Sequence, residues 1–338
     1  MAEALIKRKR LENLDVLKGI AIIAVVVGHL AAKGSIPFKM CYSFHMSLFI
    51  FISGFLTVYT KGNRDIIKFT MLTKRTRRIL VPHVCWCSIY IVVTYGLINL
   101  SSFFDLIFFN PILWFLLNLF LYDLTYVVAS NELSWKRNLV YLTAFMVMGG
   151  AYYLTKDEVF KNYVLFFPFF YLGLIIGGLK NFNKFIKLIP FLFFIYPLSM
   201  VFYTYGDKEV SSYAVTLNSY FPLGYHISFA LVWLNSHMII PFLGICFYFF
   251  LSNILIRVPQ IHSLNKILSF IGMYTLQIYV MHYMLFFYKS SNQTLYIILN
   301  LVISITICII VSKIVSKVGI LNEILFGVIR KRENYEEK

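Results

Sequence analysis

The chain has 338 residues, of which 59% are hydrophobic and 14% charged, with a mean hydropathy of +0.75. A soluble domain carries roughly 25% charged residues, so the composition excludes an ordinary soluble domain and predicts a polytopic membrane protein. The net charge of +16 would suggest a nucleic-acid partner in a soluble chain; here its distribution reports membrane topology, and no nucleic acid is expected.

Apolar runs close to the ~20 residues that span a bilayer core recur along the chain. They predict ten spans, at about 14–31, 39–59, 79–100, 109–129, 138–154, 163–179, 187–204, 236–256, 267–288 and 294–316. Lipid offers no partner for backbone polar groups, so the spans are expected to be helices. The short alternating segments of a membrane β-barrel are absent. The predicted fold class is therefore all-α. A membrane domain covers 1–317, and 318–338 forms a cytoplasmic tail whose Val318 to Arg332 stretch is amphipathic and suited to the inner surface. Residues 205–235 form the longest connection. They are polar up to Ser219 and apolar from Phe221 to Leu234, which fits either a re-entrant or interfacial segment or an extension of span eight.

Lysine and arginine divide unevenly between the two faces. Taking the N-terminus as inside, 24 fall on inner segments and six on outer ones, with Lys18 inside span one. The inner set includes Lys7 to Arg10, the seven between Lys61 and Arg78, and those of the C-terminal end; the outer six are Lys33, Lys39, Lys156, Lys161, Lys208 and Lys289. This asymmetry predicts both termini in the cytoplasm. The first apolar run carries Lys18 and His29 and has no clear small-residue cleavage site, so it reads as a retained span rather than a cleaved signal. The five cysteines lie in or near spans. Cys85 and Cys87, one residue apart, have a poor spacing for zinc or redox chemistry, and no metal site is expected.

Polar residues inside spans carry the functional signal, because an ionisable group in a membrane helix is costly. Lys18 and His29 are eleven positions apart in one run, which places them on one helix face about 16 Å apart along the axis. Lys18 also suits a snorkelling lysine, and His29 a packed, hydrogen-bonded histidine. Asp15 lies at the inner entry of the same span, where an acidic group suits a helix N-terminus. Span two runs from His45, near the outer end, to Ser53 and Gly54, deeper in the bilayer; small residues there permit close helix approach. The loop that follows ends in Lys74-Arg75-Thr76-Arg77-Arg78. Such a cluster anchors topology against anionic lipid, and its guanidinium groups can also grip phosphates. Asp123 is a carboxylate in span four, where pairing with a lysine or arginine would account for it. Span nine adds Gln277, Tyr279 and His282.

Several of these stretches together resemble the acyltransferase-3 family of bacterial integral-membrane acyltransferases. They are Leu14 to Ile20 with Gly28-His29, Phe44-His45-Met46 with Ser53-Gly54-Phe55, the Lys74–Pro82 cluster, Leu113-Trp114-Phe115-Leu116, and Tyr274-Thr275-Leu276 with His282. The resemblance runs in order through nearly the whole chain and is most specific in the first 80 residues. It places the family's basic residue and histidine of the first span at Lys18 and His29, and its basic motif at Arg75 and Arg78, with Lys74 and Arg77 beside them. Lysine at position 18 departs from the usual arginine: it keeps the charge and loses the bidentate fork. The chain resembles the stand-alone form, without a C-terminal periplasmic domain.

The resemblance implies an O-acyltransferase of the bacterial cytoplasmic (inner) membrane with no bound cofactor. Acyl-CoA, acetyl-CoA by default, is the donor. The acceptor is a hydroxyl of a surface polysaccharide or lipid-linked glycan. Arg75 and Arg78 would hold the donor, and His29 would act as general base or transient acyl carrier. Lys18 would supply positive charge along the thioester's path or interact with a phosphate, and His45 would orient the acceptor or assist proton transfer. A polysaccharide or lipid-linked oligosaccharide exporter is the competing class, although no internal repeat and no clear pair of broken helices supports it. A non-catalytic scaffold would not need the cost of buried histidines and lysine.

Overall fold

The computed structural model describes residues 12–59, 68–96, 103, 107, 112–129, 134–178 and 194–328. Outside them fall Lys7 to Arg10, Lys61 and Arg64, the first part of predicted span seven, and the tail from residue 329. The described elements are helices, and no strand occurs among the described residues.

The first third contains α1 (Glu12–Leu30), α2 (Ile36–Tyr42), α3 (His45–Tyr59), α4 (Lys68–Arg75) and α5 (Val81–Tyr95). Then come α6 (Trp114–Ala129), α7 (Ser134–Thr155), α8 (Glu158–Gly178), α9 (Ile195–Ser199) and α10 (Gly206–Tyr220). The last third holds α11 (Tyr225–Leu234), α12 (Ile240–Arg257), α13 (His262–Met273), α14 (Thr275–Met281), α15 (Gln293–Val315) and α16 (Gly319–Phe326).

Six of the described helical stretches are long and apolar enough to cross a bilayer: 12–30, 36–59, 72–94, 158–178, 225–257 and 293–315. These correspond to predicted spans one, two, three, six, eight and ten. Trp114–Ala129 is apolar but shorter. Ser134–Thr155 has the length of a span, yet its tyrosines and the Gly149-Gly150 pair dilute its apolar character. Predicted span nine is a helix broken at Tyr274. The apolar half of the 205–235 connection extends span eight, because Tyr225 to Arg257 forms one continuous helical run of 33 residues. Its polar half forms α10.

Two of these runs contain a widened π turn, Thr76–Leu80 and Asn235–Ile239, and each is followed two residues on by a proline, Pro82 or Pro241. Proline lacks an N–H and crowds the carbonyl four residues back, so the preceding turn loosens rather than breaks. One such turn carries Arg77 and Arg78.

The chain divides into two compact units. One comprises 1–62 with 169–307, the other 63–168 with 308–338. In the first, α1 and α13 cross at backbone contact. A Cβ on Gly19 would overlap the Leu268 carbonyl, and one on Gly272 would overlap the Asp15 carbonyl. Gly54 of α3 and Gly173 of α8 meet in the same manner. With lipid outside, helix association depends on such close van der Waals packing, and small residues permit it. In the second unit, aromatic and amide side chains hold the helices. Tyr122 donates to the Tyr163 carbonyl at 3.0 Å and Asn118 to the Val159 carbonyl at 3.2 Å. The Trp86 indole donates to the Leu325 carbonyl at 2.8 Å, fastening α16 to α5.

Candidate functional site

His29 lies in the last turn of α1, and its side chain is accessible although the residues on either side are buried. Three rings surround it. His282 is 5.3 Å away between centroids, Tyr283 is 5.7 Å away and edge-on, and Tyr42 is 6.1 Å away and edge-on. The Tyr42 hydroxyl lies 3.5 Å from His29 Nδ1. Tyr42 in turn meets His45 at 5.1 Å and Tyr205 at 5.0 Å. Three histidines from three helical segments therefore share one aromatic cluster within the first unit.

Local chain breaks orient two of these imidazoles. α2 ends at Tyr42, and α3 begins at His45. At this interruption the Cys41 carbonyl accepts from the Phe44 N–H at 3.3 Å and also from His45 Nδ1–H. α14 ends at Met281, where the last-turn carbonyls have spare accepting capacity, and His282 Nδ1–H donates to the carbonyls of Ile278 at 3.0 Å and Tyr279 at 2.8 Å. A carbonyl only accepts, so the proton lies on Nδ1 of both rings and, in the neutral form, Nε2 keeps its lone pair. Both side chains are buried.

Lys18 pairs with Asp15 at 2.7 Å, one turn back on α1. The lysine is partly accessible and the aspartate buried. The positive charge at the lower end of span one therefore comes with a counter-charge. Gln277 is buried in α14, and Ser53 is half-buried, with its carbonyl accepting from the Thr57 hydroxyl at 2.9 Å.

The basic cluster belongs to the second unit. Arg75 Nε lies 3.3 Å from Asp123 Oδ2, and that carboxylate is fully buried. Arg75 thus provides the cationic partner expected for Asp123. Arg77 lies 3.7 Å from Glu323 of α16, and the two line a cavity of about 370 Å³ with Val81, Ile320 and Ile324. Lys74 and Arg78 are exposed. Trp114 stacks on Phe166 at 5.4 Å, a packing contact. The structure brings His29, His45 and His282 together, and Lys18 with Asp15, and Arg75 with Asp123. It does not gather the four basic residues around one point.

Sequence reasoning missed the tyrosines. Tyr42 lies three residues before His45, and Tyr283 directly follows His282, which is the signal that could have found them. It also missed the ion pair at 3.2 Å between Lys39 and Glu209, which joins α2 to α10 beside Tyr205. Among the described residues no group of three or more His, Cys, Asp or Glu side chains is arranged to hold a metal ion.

The apolar helices and the polar cluster within them define a multi-pass membrane protein with a candidate site on its first span. A family model described as an acyltransferase domain matches residues 11–315 of the 338, and the chain belongs to the acyltransferase-3 family. No curated protein and no solved structure matches it.

Proposed function

We propose that this membrane acyltransferase moves an acyl group, acetyl by default, from cytosolic acyl-CoA to a hydroxyl of a surface or lipid-linked glycan, with His29 as general base. The observation that carries the reading is the accessible His29 imidazole, ringed by His282, Tyr42 and Tyr283 at the end of the first span. An imidazole has an unperturbed pKa near 6.5 and exchanges protons readily near neutrality.

In this mechanism the His29 lone pair takes the proton of the sugar hydroxyl as its oxygen attacks the thioester carbonyl. The carbon–sulfur bond then breaks, and the proton passes to the leaving thiolate. Products are the sugar ester and free CoA. Tyr42 and Tyr283 flank the imidazole edge-on and steady it by packing, and His45 holds the acceptor side of the cluster. Arg78, with Lys74 and Arg77, grips the donor's phosphates. Arg75 contributes charge while neutralising Asp123. Lys18 adds positive charge about 16 Å down the helix from His29.

The topology in this account has ten spans, both termini in the cytoplasm and the protein in the bacterial inner membrane. It rests on the distribution of lysine and arginine. The membrane domain ends near residue 317, and 318–338 lie on the cytoplasmic side. The test is transfer from radiolabelled acetyl-CoA into the glycan fraction of vesicles carrying wild-type or His29→Ala protein. Label incorporation that depends on His29 supports the enzyme; incorporation that is absent from the wild type contradicts it.

A further inference from the structure

We infer that His282 is a positioning residue that acts through His29. Its Nε2 lone pair takes the N–H of the His29 ring, which fixes the tautomer of His29 and steadies the imidazolium formed during transfer. This inference rests on the reading of His29 as the general base.

The argument starts from the two ends of the His282 ring. Nδ1–H is committed to the Ile278 and Tyr279 carbonyls, so turning the ring would leave that N–H, within a buried side chain, without its acceptors. Nε2 is therefore an acceptor by necessity. It is buried and has no hydrogen-bond partner. An unpaired buried acceptor is costly, so such groups are rare and call for an explanation. A phenyl ring would fill the same aromatic environment beside Tyr279 and Phe286 without that cost.

The nearest ring able to donate is His29. An in-line hydrogen bond between two imidazoles needs a nitrogen separation of about 2.9 Å. With about 1.1 Å from each ring centre to its nitrogen, the centroids then lie about 5.1 Å apart. The observed separation is 5.3 Å, with the planes tilted by 38°. The rings have the spacing of the bond without its alignment. His282 is locked by the backbone and buried, whereas His29 is accessible. Exposed side chains change rotamer readily, so it is the His29 ring that turns to close the contact.

The enclosed Nε2 is out of a sugar's reach, which rules out direct contact with the acceptor and leaves action through His29. Once one His29 nitrogen donates to His282, the other must carry the lone pair. It takes the hydroxyl proton, and the imidazolium so formed shares its remaining N–H with His282. The proton then goes to the CoA thiolate, and both rings return to neutral. His282 plays the part of a buried orienting partner, the arrangement by which functional imidazoles are commonly held.

The test compares His282→Phe, which keeps the ring and removes the acceptor, with His282→Gln, which restores an acceptor oxygen near the position of Nε2. Transfer from radiolabelled acetyl-CoA is measured in vesicles with native acceptor, per amount of inserted protein, as a function of donor concentration. His282→Phe is expected to lower the maximal rate tenfold or more with the donor KM within about twofold, in the 10–100-fold range of such orienting partners. His282→Gln is expected to recover most of that loss. A purely structural role predicts the reverse, with phenylalanine at least as active as glutamine, and that result overturns the inference. If His282→Phe fails to insert, His282→Met serves as the apolar variant. Wild-type and His29→Ala proteins run alongside. If transfer is independent of His29, the general-base reading falls and this inference with it; if transfer depends on His29 and the apolar variant matches glutamine, only the role of His282 falls.

Discussion

Arg75 and Asp123 form an ion pair at 3.3 Å in which the carboxylate is fully buried and the guanidinium only partly so. Removing one member of a buried pair typically costs about 3–5 kcal/mol, because the remaining charge loses its compensation. Arg75→Ala should therefore lower the thermal stability of the purified protein and reduce its yield. Arg75→Ala combined with Asp123→Leu should recover much of both. Scanning fluorimetry checks this; a double variant no more stable than the single would assign the loss to something other than the pair.

Arg78 gives a cleaner test of donor binding, because its side chain is exposed. A charge-assisted contact to phosphate contributes about 1.5–3 kcal/mol. Arg78→Ala should weaken acyl-CoA affinity about tenfold or more while insertion and stability stay at wild-type level. Unchanged affinity, measured by calorimetry on purified protein, would reduce the cluster to a topology anchor.

Two glycine substitutions should move stability in opposite directions. Gly272→Ala places a methyl group against the Asp15 carbonyl at the α1–α13 crossing, and overpacking of this kind costs about 1–3 kcal/mol. Gly150→Ala, inside α7, meets nothing within 4 Å and should stabilise by about 0.4–1 kcal/mol through the lost freedom of the unfolded chain. Melting temperatures of the two variants decide the matter. A neutral Gly272→Ala would mean that α1 and α13 do not meet as closely as described.

The C-terminus should be cytoplasmic. A reporter fused after Lys338 should give a cytoplasmic readout, and one inserted in the Lys156–Asp157 turn a periplasmic readout. A periplasmic C-terminus would overturn the ten-span topology.

The parts of this fold legible in sequence were those that depend on one helix at a time. Hydropathy located the runs at 12–30 and 293–315 closely, because a span's length is set by the bilayer. It also marked Lys18 and His29, since a charge in an apolar run stands out. Breaks within apolar runs were not legible. The end of α14 at Met281 and the interruption between Tyr42 and His45 leave no gap in hydropathy, yet it is beside these chain breaks that His282 and His45 are held by backbone carbonyls. Partnerships across distant positions were hidden for a similar reason. Asp123 was expected to have a cationic partner, but nothing local in the sequence singles out Arg75, 48 positions earlier. Tyr42 and Tyr283 stand near His45 and His282 in the sequence, but their place beside His29 depends on how the helices pack.

The central claim is that His29 performs the chemistry, and the most direct measurement is the turnover of purified His29→Ala protein. General-base catalysis typically contributes about 10² to 10⁴ in rate. The variant should insert, fold and bind donor as the wild type does, and lose at least a hundredfold in acyl transfer from radiolabelled acetyl-CoA to the native glycan acceptor. Folded, donor-binding His29→Ala protein that keeps within a few-fold of wild-type turnover would contradict the account, and loss of turnover in His45→Ala instead would move the chemistry to the second span.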